Sequence, residues 1–329
     1  MDSDTRILHA LIAQPEGYVN GQDLAEQLGM SRVGIWKRLQ KLSESGLQLT
    51  AVRNRGYRIT REPEQPLQSL MNAWLYRENV SMPVHWHASI GSTNTEAQRL
   101  LAEGSETPFA VASAEQTQGR GRMGRRWHSP SDGNLYISFA FQPSLPPKRM
   151  QTITLFFGLR LCIFMNQRYG LPVQIKWPND LLLNGKKVCG MLTEARVDAD
   201  AIRDLIFGMG LNINCETSQW PEEVRRMATS LRSVRGERLP FHRLTAELTG
   251  LIEESYQHFL RSDTRQLLKE WPDYDCLHGR TLNFERNQKT ITGVGEGIDT
   301  QGCLLIREAS GKIHALNAGE VSIGSGNLE

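Results

Sequence analysis

Residues 116–130 read QTQGRGRMGRRWHSP, and how this stretch is read decides the fold. Its Gly119–Gly124 segment matches G-x-G-x-x-G, the fingerprint of a dinucleotide-binding fold. That fold requires a helix to begin at the motif. Here the motif runs into Arg-Arg-Trp-His-Ser-Pro and then Ser131-Asp132-Gly133, which is turn chemistry. Phe109–Ala114 before it reads as a strand. So does Asn134–Phe141 after it, where Leu135, Ile137 and Phe139 alternate with Tyr136, Ser138 and Ala140. The stretch is therefore a loop held between two strands. Gly119, Gly121 and Gly124 let its backbone turn tightly and come close to a ligand. Arg120, Arg122, Arg125 and Arg126 face no acid within the loop, and their planar forks suit carboxylate and phosphate oxygens. Trp127 adds one large aromatic face. The loop is expected to close over an anionic small molecule. No G-x-x-x-x-G-K-[ST] motif occurs, so a P-loop is excluded.

Outward from the loop, 329 residues are enough for two or three domains. A hydrophobic content of 39% and a charged content of 22% are those of an ordinary globular chain. The net charge of +2 excludes a uniformly basic nucleic-acid coat. Its distribution is uneven, however. Residues 31–61 hold Arg32, Lys37, Arg38, Lys41, Arg53, Arg55, Arg58 and Arg61 against Glu44 alone, a local net of +7. Cysteines 162, 189, 215, 276 and 303 are odd in number and form no C-x-x-C pair. They read as reduced, mostly buried thiols of a cytoplasmic protein, with no zinc site. The acidic Met1-Asp2-Ser3-Asp4 start lacks a signal peptide's apolar core. The apolar run Ile153–Met165 is too short to span a membrane and is broken by Arg160.

The N-terminal 61 residues predict a winged helix-turn-helix. Ile7, Leu8, Leu11 and Ile12 make one buried helical stripe, and Pro15-Glu16-Gly17 ends it. A second helix spans Gln22–Leu28, and Gly29 suits its left-handed cap. Ser31 caps a third, Arg32–Ser43, with Ile35, Leu39 and Leu42 inward and Arg32, Trp36, Lys37 and Lys41 outward. Strands Leu49–Val52 and Gly56–Thr60 flank a turn that carries Arg53 and Arg55. The candidate DNA contacts are Gln22, Ser31, Arg32, Trp36, Lys37, Arg53 and Arg55. A winged helix used for protein contacts, its basic face merely solvated, is the alternative.

Arg61–Pro66, REPEQP, reads as a linker. Beyond it come a helix at Leu67–Tyr76, a short strand at Val84–Trp86, and a polar loop that includes Ser92, Thr93 and Asn94 before a helix at Glu96–Ala102. Those three residues either cap the helix or turn toward a polar ligand. A long helix at Met150–Tyr169 follows. Then come a strand at Val173–Trp177 and a hairpin, Leu181–Leu183 with Lys187–Leu192, closed by Asn184-Gly185. Lys176 and Lys187 read either as edge lysines or as site cations. The Ile206–Asn214 strand carries Gly208 and Gly210 on one face, which marks a place where a ligand or another backbone comes close. Residues 218–233 read as irregular, Phe241–Arg261 as an amphipathic helix, and Gln266–Trp271 as a short helix. From Leu277 onward, short strands predict a small all-β barrel.

The loop, Lys176-Trp177-Pro178-Asn179-Asp180 and the winged helix occur in the order of one family. End to end, the chain resembles the bifunctional bacterial biotin–protein ligases that also repress the biotin operon. The Gly119–Trp127 segment matches their GRGRxGRxW signature, Ser92-Thr93-Asn94 their S-T-N, Lys187 and Gly190 their K-x-x-G, and Gly208 with Asn212 their G-x-G-x-N. The resemblance implies an α+β multidomain fold. Its parts are a winged helix-turn-helix at 1–61, a mixed α/β ligase domain with an SH2-like sheet at 67–271, and an SH3-like β-barrel at 272–329. It further implies that biotin and ATP form biotinyl-5′-AMP, and that biotin then passes to a lysine of the biotin carboxyl carrier protein of acetyl-CoA carboxylase. Mg²⁺ is implied by ATP, and no protein ligand cluster for a metal is evident. Carried over, Ser92, Thr93, Asn94 and Gln116 hold biotin's polar edges and Trp127 flanks it. Arg120, Arg122 and Lys187 are the catalytic cations at the carboxylate and phosphate, and Asn179 and Asn212 meet the nucleotide. Gly119, Gly121, Gly190 and Gly208 complete the binding set. The adenylate is the implied corepressor, ordering a homodimer that binds operator DNA.

Two departures stand out. Repressor-type members can carry a tryptophan near the C-terminal Gly-Glu that packs on adenine. Here Ala315–Glu320 has none, and no tryptophan follows Trp271, which leaves the adenine platform without a candidate. Met123 occupies a loop position that is often basic in the family.

Overall fold

A computed structural model gives the structure of the chain. It describes residues 1–131, 133–261, 265–286 and 289–323. Asp132 of the expected Ser-Asp-Gly turn, and residues 324–329 of the expected barrel, lie outside them.

Three helices, α1 (Ser3–Ile12), α2 (Gly21–Leu28) and α3 (Arg32–Glu44), precede an antiparallel pair, β1 (Gln48–Val52) and β2 (Gly56–Arg61). Local chemistry sets their ends. Asn20 Oδ1 accepts from Gln22 N at 2.7 Å, and Ser31 Oγ accepts from Gly34 N at 3.0 Å. Gly29 closes α2 at φ 64°. Gly56 is required twice over, because its φ is +113° and a Cβ there would lie 2.0 Å from Val19 O. The expected winged helix is thus formed, with Ile7, Leu8, Leu11, Leu24, Ile35, Leu39 and Leu42 in its core.

The next helix, α4 (Gln68–Arg77), buries Leu70 and Ala73 in that same core. Its other face packs on α9 (Phe241–Arg261). The REPEQP stretch is therefore not a loose tether. Glu62 accepts from Trp74 Nε1 at 3.0 Å and meets His242 Nδ1 at 2.8 Å, and Leu67 N donates to His242 Nε2 at 2.9 Å.

The central sheet is built from β3 (Val84–His87), β4 (Phe109–Ser113), β5 (Leu135–Phe141), β6 (Val173–Lys176), β7 (Asp180–Leu183), β8 (Lys186–Asp198) and β9 (Ala201–Leu211). Their order is β3-β4-β5-β9-β8-β7-β6, and only the β3/β4 pair is parallel. Helix α5 (Thr93–Ala102) covers one face, over Phe109, Val111, Ala140 and Ile206. Helix α6 (Arg149–Tyr169) and α9 cover the other, over Ile137, Phe139, Phe207 and Met209. The alternation along β5 and β9 separates these faces, and the site lies on the α5 side. Residues 218–233, expected to be irregular, hold two short helices, α7 (Glu222–Met227) and α8 (Leu231–Arg235). Their apolar positions are too few to show a period.

After α10 (Arg265–Glu270), strands β10 (Thr281–Arg286), β11 (Lys289–Ile298), β12 (Leu304–Arg307), β13 (Ile313–Leu316) and β14 (Val321–Ile323) form an antiparallel sheet ordered β13-β12-β11-β10-β14. Leu282, Phe284, Leu304 and Ile306 join the central core. Trp177 Nε1 donates to Gly302 O at 3.0 Å, so this tryptophan of K-W-P-N-D is a buried link between the sheets.

Candidate functional site

The arginine-rich loop is not an open strap. Gly121 N donates to Arg125 O at 2.7 Å and Trp127 N to Gly119 O at 2.9 Å, so 119–121 pair with 125–127 around a tight turn. Met123 at φ 56° and Gly124 at φ 73° form its tip, and Met123 is exposed. Gly119 is packed against the returning strand, since a Cβ there would lie 2.5 Å from Ser129 Oγ.

Trp127 folds down onto the sheet. A Cβ at Gly210 would lie 2.5 Å from Trp127 Nε1, and one at Gly190 would lie 2.8 Å from Trp127 Cζ3. These two glycines are register partners on β9 and β8, and together they seat the indole. The third strand glycine, Gly208, makes room for Asn94, whose Oδ1 is 2.2 Å from where a Cβ would stand. The glycine face thus admits side chains of this chain. Trp127 Nε1 is buried without a hydrogen-bond partner among the described residues.

Ser92, Thr93 and Asn94 are buried at the start of α5, where the helix begins three residues before the expected Glu96. Ser92 stands at the N-cap but makes no side-chain cap bond, so the capping alternative is not used. Gln116 Oε1 accepts from Thr93 N at 2.9 Å and from Thr93 Oγ1 at 3.1 Å. Ser138 Oγ lies 2.7 Å from Thr93 Oγ1 and 2.6 Å from Asn94 Oδ1. Its single proton serves one of them at a time. Asn94 Nδ2 donates to Glu194 Oε2 at 2.6 Å. Three residues named in the sequence, Thr93, Asn94 and Gln116, are therefore joined by two that sequence reasoning missed. Ser138, the one serine in an otherwise apolar and aromatic strand, was a legible signal; Glu194 carried none.

The cations come from two elements. Arg120 Nη2 pairs with Glu194 at 3.1 Å and reaches Thr95 Oγ1 at 3.3 Å. Arg122 Nη1 donates to Asn179 Oδ1 at 3.2 Å, while Asn179 Nδ2 donates to Met191 O at 2.7 Å. Partial burial pulls the Arg122 guanidinium below its ordinary value, and Asp180 and Glu320 oppose this. Lys187 Nζ lies 2.7 Å from Asp180 Oδ1 and 4.9 Å from the Trp127 ring centroid. Among the described residues Asp180 Oδ1 has no aligned hydrogen bond, so this contact is an ion pair. Arg125 forms a bidentate pair with Glu320, at 2.5 and 2.7 Å, which ties the loop to the C-terminal sheet. Asn212 follows β9 beside the Lys187 strand, its amide donating to Thr229 O at 3.0 Å while Thr229 N donates to Lys187 O at 2.9 Å. Among the described residues no group of three or more His, Cys, Asp or Glu could hold a metal ion, and no helix is long and apolar enough to cross a membrane.

On the winged helix, Arg32, Trp36 and Lys37 are exposed along α3, with Ser31 as its cap. Gln22 lies in the first turn of α2, with its Nε2 donating to Glu26 at 2.7 Å. Arg53 is exposed on the wing. Arg55 instead stacks on Tyr18, 4.5 Å from the ring centroid, with Arg58 at 5.1 Å. Arg38 and Arg61 are engaged by Asp4 and Glu64, so they belong to the fold more than to the basic face.

The pattern of the biotin/lipoate A/B protein ligase family matches residues 86–212. An HTH domain matches 5–58, and the biotin protein ligase C-terminal domain matches 277–324. The chain is similar to the bifunctional ligase/repressor BirA of Salmonella typhimurium (strain LT2), 31% identical over 97% of each chain. It is 30% identical to that of Escherichia coli (strain K12), covering 97% of this chain and 96% of that one. For Bacillus subtilis (strain 168) the identity is 29%, over 93% and 94%. A solved structure, the biotin protein ligase from Aquifex aeolicus in complex with biotin and ATP, superposes with a TM-score of 0.61 at 29% identity, covering 74% of this chain and 98% of that chain.

Proposed function

The chain belongs to the family of bifunctional biotin ligase/repressors, and on that premise we propose how its residues carry the two activities. It is an ATP-dependent biotin–protein ligase and a DNA-binding repressor. The observation that carries the ligase reading is the convergence of Arg122 and Lys187, from two elements, on Asn179-Asp180, with Lys187 over the seated Trp127.

In the first step a biotin carboxylate oxygen attacks the α-phosphorus of ATP, and pyrophosphate leaves. Two anions must meet, and charge grows around phosphorus. Arg120, Arg122 and Lys187 supply the cations. Each is held by a partner of this chain before substrate arrives, on Glu194, Asn179 and Asp180 respectively, so little reorganisation is needed at the moment of reaction. Ser92, Thr93, Asn94 and Gln116 hold the polar edges of biotin, with Ser138 and Glu194 fixing their orientation. Trp127 flanks the ligand, and its partnerless N–H takes a ligand oxygen, since a buried donor left unpaired costs about 1–3 kcal/mol. Asn179 and Asn212 line the nucleotide side. In the second step a lysine ε-amine of the carrier protein attacks the acyl carbon and AMP leaves. Among the described residues no cluster makes a metal cage, and magnesium would come bound to the phosphates.

Three units serve these roles: residues 1–61, an SH2-like sheet domain at 67–271, and an SH3-like barrel at 272–329. The adenylate orders the loop, the ordered surface pairs two copies, and two winged helices bind a two-fold operator in the cytoplasm. Gln22, Ser31, Arg32, Trp36, Lys37 and Arg53 face the DNA, and Arg55 does so as a Tyr18-stacked cation.

Incubation with ATP, Mg²⁺, labelled biotin and carrier protein tests the enzyme. Lys187→Ala should slow pyrophosphate release by about 100-fold or more, the scale of losing one preorganised charge, with biotin binding little changed. Near-normal release would remove Lys187 from the chemistry. A gel shift on DNA upstream of biotin-synthesis genes, with and without biotin and ATP, tests repression. Affinity should fall steeply with salt.

A further inference from the structure

We propose that Val33 and Trp36 read thymine methyl groups in the major groove, so that α3 selects its site by apolar as well as ionic contact. This rests on the DNA-binding reading above. Both side chains are exposed, at 61% and 52%, although they are among the most apolar on the helix. They stand three residues apart, on one face. The inward stripe of α3 is already complete with Ile35, Leu39 and Leu42, so neither is needed for the core.

Lys37 and Gln40 continue the Val33–Trp36 face at the next helical positions, and both are exposed. Arg32 precedes it and Lys41 follows it, with Glu44 the one acid on the helix. An apolar pair framed by cations suits a surface that is anionic at its rims and carries apolar groups on its floor. The major groove is such a surface, with phosphates along both edges and the thymine C5-methyl as the apolar group on its base edges. The N-terminal turns of a recognition helix are the ones that reach base edges, and Val33 and Trp36 lie in those turns. Lys37 and Arg32 then hold phosphates and contribute affinity without discrimination.

The full-length chain, with biotin and ATP, is used to select duplexes from a random pool. Each thymine of a selected duplex is then replaced in turn by deoxyuracil, which deletes only the methyl. The expected result is that at one or two positions per half-site the replacement weakens binding about fourfold, the worth of one buried methyl. Val33→Ala and Trp36→Ala, at exposed positions that leave the fold intact, should lose the thymine preference at those positions. Lys37→Ala should weaken binding to both duplexes alike and keep the preference. Indifference of the wild-type chain to every replacement overturns the proposal while leaving DNA binding intact, as does a variant that keeps the full preference. Recovery of no duplex at all overturns the DNA-binding reading along with it. Loss of carrier labelling in Trp36→Ala would assign the face to the acceptor protein instead.

Discussion

Gly210 and Trp127 occupy one space between them. A methyl at 210 would stand 2.5 Å from the indole nitrogen, so Gly210→Ala must move the ring or the strand. Overpacking of this kind costs about 1–3 kcal/mol. The expected outcome is a modestly lower Tm with biotin affinity reduced tenfold or more, checked by calorimetric titration beside a thermal melt. Wild-type affinity would show that the indole does not flank the ligand. The thiols make a second case at this scale. Burial pushes Cys162 and Cys189 well above their ordinary range and Cys276 up to about 11, so all three stay protonated at neutral pH. Cys303 is raised as well, but it is only half-buried. Iodoacetamide on the native chain should mark Cys303 first, by peptide mass spectrometry. Early labelling of Cys189 would mean that β8 opens.

At the scale of elements, the loop is a short hairpin pinned outward by Arg120, Arg122 and Arg125. The Arg125–Glu320 pair is exposed, and pairs of that kind add at most about 1 kcal/mol to stability. Its effect should therefore appear in loop order rather than in Tm. Glu320→Ala is expected to speed trypsin cleavage after the loop arginines severalfold, with biotin and ATP restoring protection. Equal cleavage of mutant and wild type would show that the C-terminal sheet does not restrain the loop. The sequence disclosed the elements where local chemistry ends them, as at Asn20, Gly29, Ser31 and Asn184-Gly185. It also singled out the Gly-Arg loop, the S-T-N set and Lys187, and the fold brings Arg120 and Asn94 to Glu194 and Lys187 to Trp127. It could not disclose Arg125–Glu320 or Asn94–Glu194, because side chains so far apart in sequence leave no trace in any local period. The strand glycines point to the approach of a ligand or another backbone, but what stands against them is the side chains of Asn94 and Trp127.

Across the whole molecule, one histidine joins the two functions. Leu67 N donates to His242 Nε2, so that nitrogen carries the lone pair; Nδ1 then carries the proton and donates to Glu62. The ring is a bridge between the stretch after the wing and α9. His242→Ala leaves Leu67 N–H without its acceptor, a loss of about 1–3 kcal/mol. Carrier labelling should persist, while the gain in operator affinity on adding biotin and ATP should shrink. Gel shifts read beside labelling separate the two, and an unchanged gain would show that α4 alone sets the winged helix.

Helix α4 also bears on how this protein could be recombined with its relatives. Leu70 and Ala73 are furniture of the N-terminal core, although they lie beyond the wing. A graft that exchanges operator preference by cutting at residue 61 would hand a foreign winged helix a docking face it never evolved beside. The portable cassette runs through Arg77, and the seam to be redesigned is the side of α4 that meets α9.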